Sequence, residues 1–168
     1  MDLFVFANGF ARWGETRLRC ALGRAGVQTD KREGDGATPV GVFPLRRVLY
    51  RPDRLKKPET RLPLAALRPQ DGWCDAPDHP DYNRPVTFPF AASAEALWRE
   101  DALYDLVLIP GFNDSPVVPG KGSAIFVHLA GAGYAATEGC VAFDLADLQQ
   151  ILRQADTHAR LCISQAPL

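Results

Sequence analysis

Two side chains in this sequence are typed and spaced to act together as base and nucleophile. His128 closes the apolar run Ile125-Phe126-Val127, and Cys140 follows Gly139 twelve positions after it. A histidine within reach of a cysteine sulfur lowers the thiol pKa and generates thiolate near neutral pH. A glycine before the nucleophile lets the backbone turn sharply and aim N–H groups at a reacting carbonyl oxygen, which is what an oxyanion hole requires. The chemistry would be attack on a carbonyl with a covalent sulfur intermediate. The plainer reading is that Cys140 is a small buried hydrophobe and His128 is satisfied by a local hydrogen bond.

The elements around the pair must position it. Ala124–Leu129 reads as a strand that ends near His128, where a rigid backbone would fix the imidazole. Asp144–Gln154 reads as a helix with Asp144 as N-cap and Leu145, Leu148, Ile151 and Leu152 on one face. Its N-terminus would favour a thiolate if it pointed at Cys140, and Asp144 would offset part of that help. Further strands are expected at Asp2–Ala7 (ending at the turn Asn8-Gly9), Leu18–Leu22, Gly41–Tyr50, Val86–Phe90, Asp105–Pro110 and Arg160–Ser164. Ser93–Tyr104 has helical spacing at Leu97, Trp98 and Leu103. The Pro-rich segment Arg51–Arg84 reads as a functional or covering excursion rather than core.

The expected architecture is mostly β with two helices, over one domain spanning 1–168. Hydrophobic residues at 46% and charged residues at 23% exclude wholesale disorder. A net charge of -1 argues against duplex nucleic acid as the main partner. Apolar stretches reach about eight residues, short of the roughly 20 that span a bilayer. No signal peptide is visible before Phe10. Four cysteines stand 54, 66 and 22 residues apart with no C-x-x-C pair, against a zinc ribbon, while any disulfide pairing stays open. Cys20 and Cys162 sit in apolar strand patterns and read as core. Cys74, Asp75 and His79 do not form a recognised ligand pattern.

His128 followed by Thr137-x-Gly139-Cys140-Val141 resembles the signature of the YkuD-like L,D-transpeptidase catalytic domain. Upstream, Thr38-Pro39-Val40-Gly41-Val42-Phe43, preceded by Lys31–Ala37, resembles that family's T-P-x-G-x-F element. The likeness runs from about Leu3 to Ser164, and the segment Gly72–Val86 is similar to a single-domain bacterial subgroup. It implies a β-sandwich with the catalytic Cys in a groove. It implies that Cys140 attacks the carbonyl of a diamino acid in a peptidoglycan stem peptide, forming a thioester that an amine of a second stem peptide resolves into a cross-link. Hydrolysis by the same pair, as L,D-carboxypeptidase or amidase, and a non-catalytic peptidoglycan-binding module are the alternatives. No cofactor or metal is expected. Carbapenem-type β-lactams are expected inhibitors, and a periplasmic location follows from the substrate.

The resemblance assigns His128 as base, and the N–H groups of Gly139 and Cys140 as oxyanion donors. Two positions depart from the family pattern: Glu138 stands where His is common, and Ala142 where Arg or Asn is common. Arg12, Arg84 and Lys121 are candidates for a substitute cation. Glu138 either orients His128, contacts an amine, or is exposed. Thr137 either bonds within the site or satisfies the turn. Trp73 and Tyr82 either line the groove or cover the core. Asp75 and Asn83 either bind stem-peptide amines or stabilise turns, and Tyr134 is placed as a flap over the donor.

Overall fold

A computed structural model describes residues 1–166 of the 168 in the chain. β1 (Leu3–Phe6), β2 (Phe10–Trp13) and β3 (Thr16–Arg19) form an antiparallel meander. The first turn contains Asn8-Gly9, with Gly9 at φ +78° and its N–H donating to Phe6 O at 3.1 Å. β4 (Val27–Gln28) and β5 (Thr38–Pro39) pair in parallel, as do β6 (Gly41–Tyr50) and β7 (Leu64–Ala66). β8 (Asp71–Cys74) is the centre of a small antiparallel sheet between β9 (Pro85–Thr87) and β10 (Ala94–Ala96). β11 (Leu106–Pro110), β12 (Val127–Leu129), β13 (Val141–Phe143), α1 (Leu145–Gln154) and β14 (Arg160–Ser164) complete the chain.

The large sheet runs β13-β12-β11-β6-β14-β1-β2-β3, with β7 added on β6. β6 is long enough to serve both halves. Gly41–Pro44 pair with β14, and Leu45–Tyr50 pair with β11. The mostly β, sandwich-like fold expected from the sequence is what forms.

Strand alternation splits the apolar residues between two cores. Side chains alternate faces along a strand, so Leu106 and Leu108 of β11 enter one core and Val107 and Ile109 the other. The first core packs β1, β2, β12, β13 and β14 against Leu148, Ile151 and Leu152 of α1. The second holds Trp73, Leu97, Tyr104, Phe126 and Cys140. With both faces covered, β11 reads as an unbroken apolar run rather than an alternating one. Among the described residues no helix is long and apolar enough to cross a membrane.

Two expectations need correction. Ser93–Tyr104 is not a helix; α1 is the one α-helix among the described residues, joined by a 3-10 turn at Ala132–Tyr134. Ala94–Ala96 pair with β8 instead, and the carbonyls of Arg99, Glu100 and Asp101 accept from the Arg51 and Arg54 guanidiniums. Those carbonyls have partners without a helical ladder. Arg51–Arg84 is not merely cover. It supplies Leu67, Trp73, Cys74 and Tyr82, all buried, and Cys74 lies within β8.

Candidate active site

The β12–β13 register brings His128 and Cys140 to one face. These strands are parallel, with Val127 opposite Val141 and His128 opposite Ala142. Opposed residues share a face, and so do residues two apart along a strand. Cys140 therefore aligns with Phe126, and both lie on the His128 side, away from Val127 and Val141. The two side chains line one cavity of about 480 Å³.

His128 is 4% exposed, and its Nδ1 lies 2.8 Å from Leu129 O. A carbonyl only accepts, so Nδ1 carries the proton and Nε2 is left as the basic nitrogen. Burial depresses the imidazolium to a pKa of about 4, so the ring is neutral at pH 7. Cys140 Sγ donates to Ala124 O at 3.2 Å and accepts from Phe126 N–H at 3.3 Å. Burial pushes its thiol up to about 12, and repulsion from Glu95 adds to this. The resting site thus holds a neutral thiol and a neutral imidazole on one cavity, not a preformed ion pair. Cys20, Cys74 and Cys162 are likewise free thiols, and Cys20 is held at about 12 by burial.

The turn before Cys140 is built by a close approach of two motifs. Gly139 has φ +136°, and a Cβ there would lie 2.7 Å from Ala37 O. Only glycine fits, because the Ala37–Phe43 element packs directly on the cysteine turn. Thr38 Oγ1 accepts from Gly23 N–H at 2.8 Å, and the Leu22–Arg24 segment pairs with Thr137. Thr137 Oγ1 donates to Cys140 O at 2.7 Å and accepts from Gly139 N–H at 3.1 Å. Thr137 is therefore a turn-holding residue. The Gly139 N–H, which the resemblance assigns to the oxyanion, is thus bonded to Thr137 Oγ1. Among the described residues, no protein group accepts from the Cys140 N–H. Glu138 does not orient His128. It pairs with Arg24 at 2.9 Å on the exposed rim of the cavity. β13 separates Cys140 from the N-terminus of α1 by roughly 10 Å of extended strand.

Several proposed substrate contacts lie elsewhere. Trp73 is buried edge-on to Phe126, and its Nε1–H donates to Asn83 Oδ1 at 2.9 Å. Asn83, at φ +55°, also accepts from Ala124 N–H and donates to Phe112 O and Asn113 O. Its amide is fully used as scaffold, and through Ala124 it holds the carbonyl that Cys140 bonds. The Tyr82 hydroxyl donates to Glu33 and accepts from Gly122 N–H at 3.0 Å. Arg84 lines a different cavity. Tyr134 lies under the Arg19 guanidinium, 4.3 Å from ring centroid to carbon, and borders a third cavity with Asp144 and Leu145. None of these five reaches the Cys140 cavity; of that middle segment only Asp75 lines it.

No substitute cation comes from the expected residues. Arg12 lies over Phe4, Arg84 is in the second cavity, and Lys121 pairs with Asp30. Ala142 is 1% exposed opposite His128 and brings no charge. The cations that line the cavity are Lys31, paired with Asp35, and Arg99, paired with Asp101 at 2.6 Å. Glu95 and Tyr104 complete the wall, joined by a 2.6 Å bond from the phenol to the carboxylate. The Tyr104 ring stands edge-on to His128, with centroids 5.2 Å apart. Sequence reasoning missed Glu95, Arg99 and Tyr104 because a helical reading makes Glu95 and Arg99 an i,i+4 surface pair. Among the described residues no group of three His, Cys, Asp or Glu is placed to hold a metal ion.

Comparison with curated proteins finds no match. The family model of the L,D-transpeptidase catalytic domain (YkuD), a family that acts on peptidoglycan, matches residues 3–162. With its cysteine turn, histidine strand and threonine-proline element meeting at one cavity, the chain belongs to the L,D-transpeptidase catalytic-domain family.

Proposed function

We propose that this chain is a cysteine-dependent acyltransferase acting on peptidoglycan stem peptides outside the cytoplasm. Cys140 Sγ attacks the carbonyl of the diamino acid while His128 Nε2 takes the thiol proton. The tetrahedral intermediate collapses, the C–N bond breaks, and the terminal D-residue leaves as an amine that receives the proton from His128. An amine of a second stem peptide then attacks the thioester. His128 takes its proton, the C–S bond breaks, and Cys140 is released with a new cross-link formed. The free Cys140 N–H is the backbone donor for the oxyanion.

The observation that carries this reading is the shared placement of Cys140 and an imidazole with unprotonated Nε2 in one cavity. A module that only binds peptidoglycan needs neither group. The neutral resting pair fits a nucleophile activated once substrate has displaced water. Incubation with purified sacculi and muropeptide mass analysis tests the reading. Cross-linked products from wild type and none from Cys140→Ala are expected. Shortened, uncross-linked peptides alone would make the enzyme a hydrolase. A carbapenem-type β-lactam should leave a covalent adduct on Cys140 that the same variant loses.

A further inference from the structure

The outer face of the N-terminal meander belongs to neither core. Strand register aligns Val42, Cys162, Phe4, Arg12 and Arg17 in one row across β6, β14, β1, β2 and β3. A second row runs Ser164, Phe6, Phe10 and Arg19. At about 4.8 Å between strands, the first row spans roughly 20 Å. The alternate residues, among them Leu3, Val5, Ala11, Leu18 and Leu161, point the other way into the first core. Phe4, Phe6 and Phe10 are half-buried and join neither apolar cluster, and Val42 is 57% exposed.

The charges on this face are arranged against stability. Arg12 and Arg17 stand directly opposite one another, and like charges so placed repel. Among the described residues, neither they nor Arg19 pairs with a carboxylate. Arg12 lies over the Phe4 ring and donates to Gly14 O, Arg17 lies over Phe10, and Arg19 lies over Tyr134 and donates to Gly133 O. Asp2 is taken by Arg160, and exposed Glu15 sits in the β2–β3 turn outside both rows. Stacking on a ring holds a guanidinium fork in place and leaves N–H donors free. The face therefore joins three unneutralised cations to exposed apolar surface, in a chain whose net charge is -1.

That combination selects the occupant. A second copy of the chain does not fit, because the rows hold no free carboxylate to make the face self-complementary. A bilayer with anionic headgroups supplies both complements: phosphates for the guanidiniums, and an apolar boundary for the phenylalanines and Val42. We propose that this open sheet face docks on the surface of a bilayer containing anionic phospholipid. None of its residues lines the Cys140 cavity, and the inference is independent of the acyl-transfer reading.

Co-sedimentation of the full chain with vesicles tests it. Phosphatidylcholine vesicles with about 30% phosphatidylglycerol should bind wild type about tenfold more tightly than phosphatidylcholine alone, and the preference should shrink as salt is raised. Arg12→Gln/Arg17→Gln should lose roughly twentyfold in affinity for the mixed vesicles, whereas Arg12→Lys/Arg17→Lys keeps the charge and should stay within about threefold of wild type. Phe6→Ser should weaken mixed-vesicle binding about tenfold without changing binding to soluble polyglutamate. Urea unfolding reads whether each variant is folded, and Arg17→Gln alone, with about a fivefold loss expected, replaces the double variant if that one is not. Equal binding to both vesicle types, or undiminished binding by the glutamine variants, overturns the proposal. Polyglutamate binding as tight as that of the mixed vesicles, with Phe6→Ser affecting neither, also overturns it in favour of an acidic protein or polymer.

Discussion

Acid should destabilise this protein through His128, and the size of the effect follows from its burial. The imidazole titrates near 6.5 when unfolded and near 4 when folded. Between those values the unfolded chain binds the extra proton and the folded one does not. Stability therefore rises with pH across that window, is fully present above the unfolded value, and is lost as pH falls. Linkage gives a loss of about 2 kcal/mol between pH 7 and pH 5 from this one group. Glu95 works in the opposite sense, because its raised pKa makes the folded state bind a proton more readily. The clean quantity is a difference between proteins. His128→Asn keeps a side-chain donor for Leu129 O and removes the titration. Urea midpoints at pH 7, 6 and 5 should fall more steeply for wild type than for the variant, with equal m-values. Parallel pH profiles would refute the argument that the imidazole is buried and neutral.

Other consequences follow from the same geometry. Without substrate, Cys140 should alkylate with iodoacetamide far more slowly at pH 7 than an exposed thiol, and the rate should still be climbing at pH 9, because burial holds the thiol near 12. A plateau below pH 8, followed by peptide mapping of Cys140, would show a preformed thiolate. Gly139→Ala should cost about 1–3 kcal/mol in denaturant unfolding and lower the rate of Cys140 acylation, since its Cβ meets Ala37 O at 2.7 Å in a left-handed backbone. Asn83→Ala strands the Trp73 indole N–H and the Ala124 N–H; it should lose about 2–4 kcal/mol, read from chemical denaturation.

Short-range signals were the legible ones. The Asn8-Gly9 turn, the long strand Gly41–Tyr50, and the helix capped by Asp144 were each readable, because a turn, an alternation or a cap is encoded within a few residues. His128 in a strand and Cys140 after a glycine turn are visible as candidates for the same reason. Their shared face is not, since it depends on the register of two strands joined by an intervening loop. Ser93–Tyr104 misled because its apolar spacing suits a helix, whereas pairing with β8 and the Arg51 and Arg54 donors decide its path. Trp73, Tyr82 and Asn83 look like ligand-binding residues in sequence. Burial turns them into scaffold, because an aromatic with a polar tip is equally suited to a core that offers one hydrogen bond. That Glu33, Asp75 and Glu95 line one cavity is hidden in the sequence, because they come from separate segments that only the fold brings to it.

The proposed reaction turns on a covalent intermediate on one sulfur. Wild-type protein mixed with a stem tetrapeptide, quenched in acid and analysed as intact protein and as peptides, should carry a thioester mass on Cys140. That adduct should disappear in Cys140→Ala and be slowed strongly in His128→Asn. An adduct that persists in Cys140→Ala, or one mapped to Cys20, Cys74 or Cys162, would contradict it.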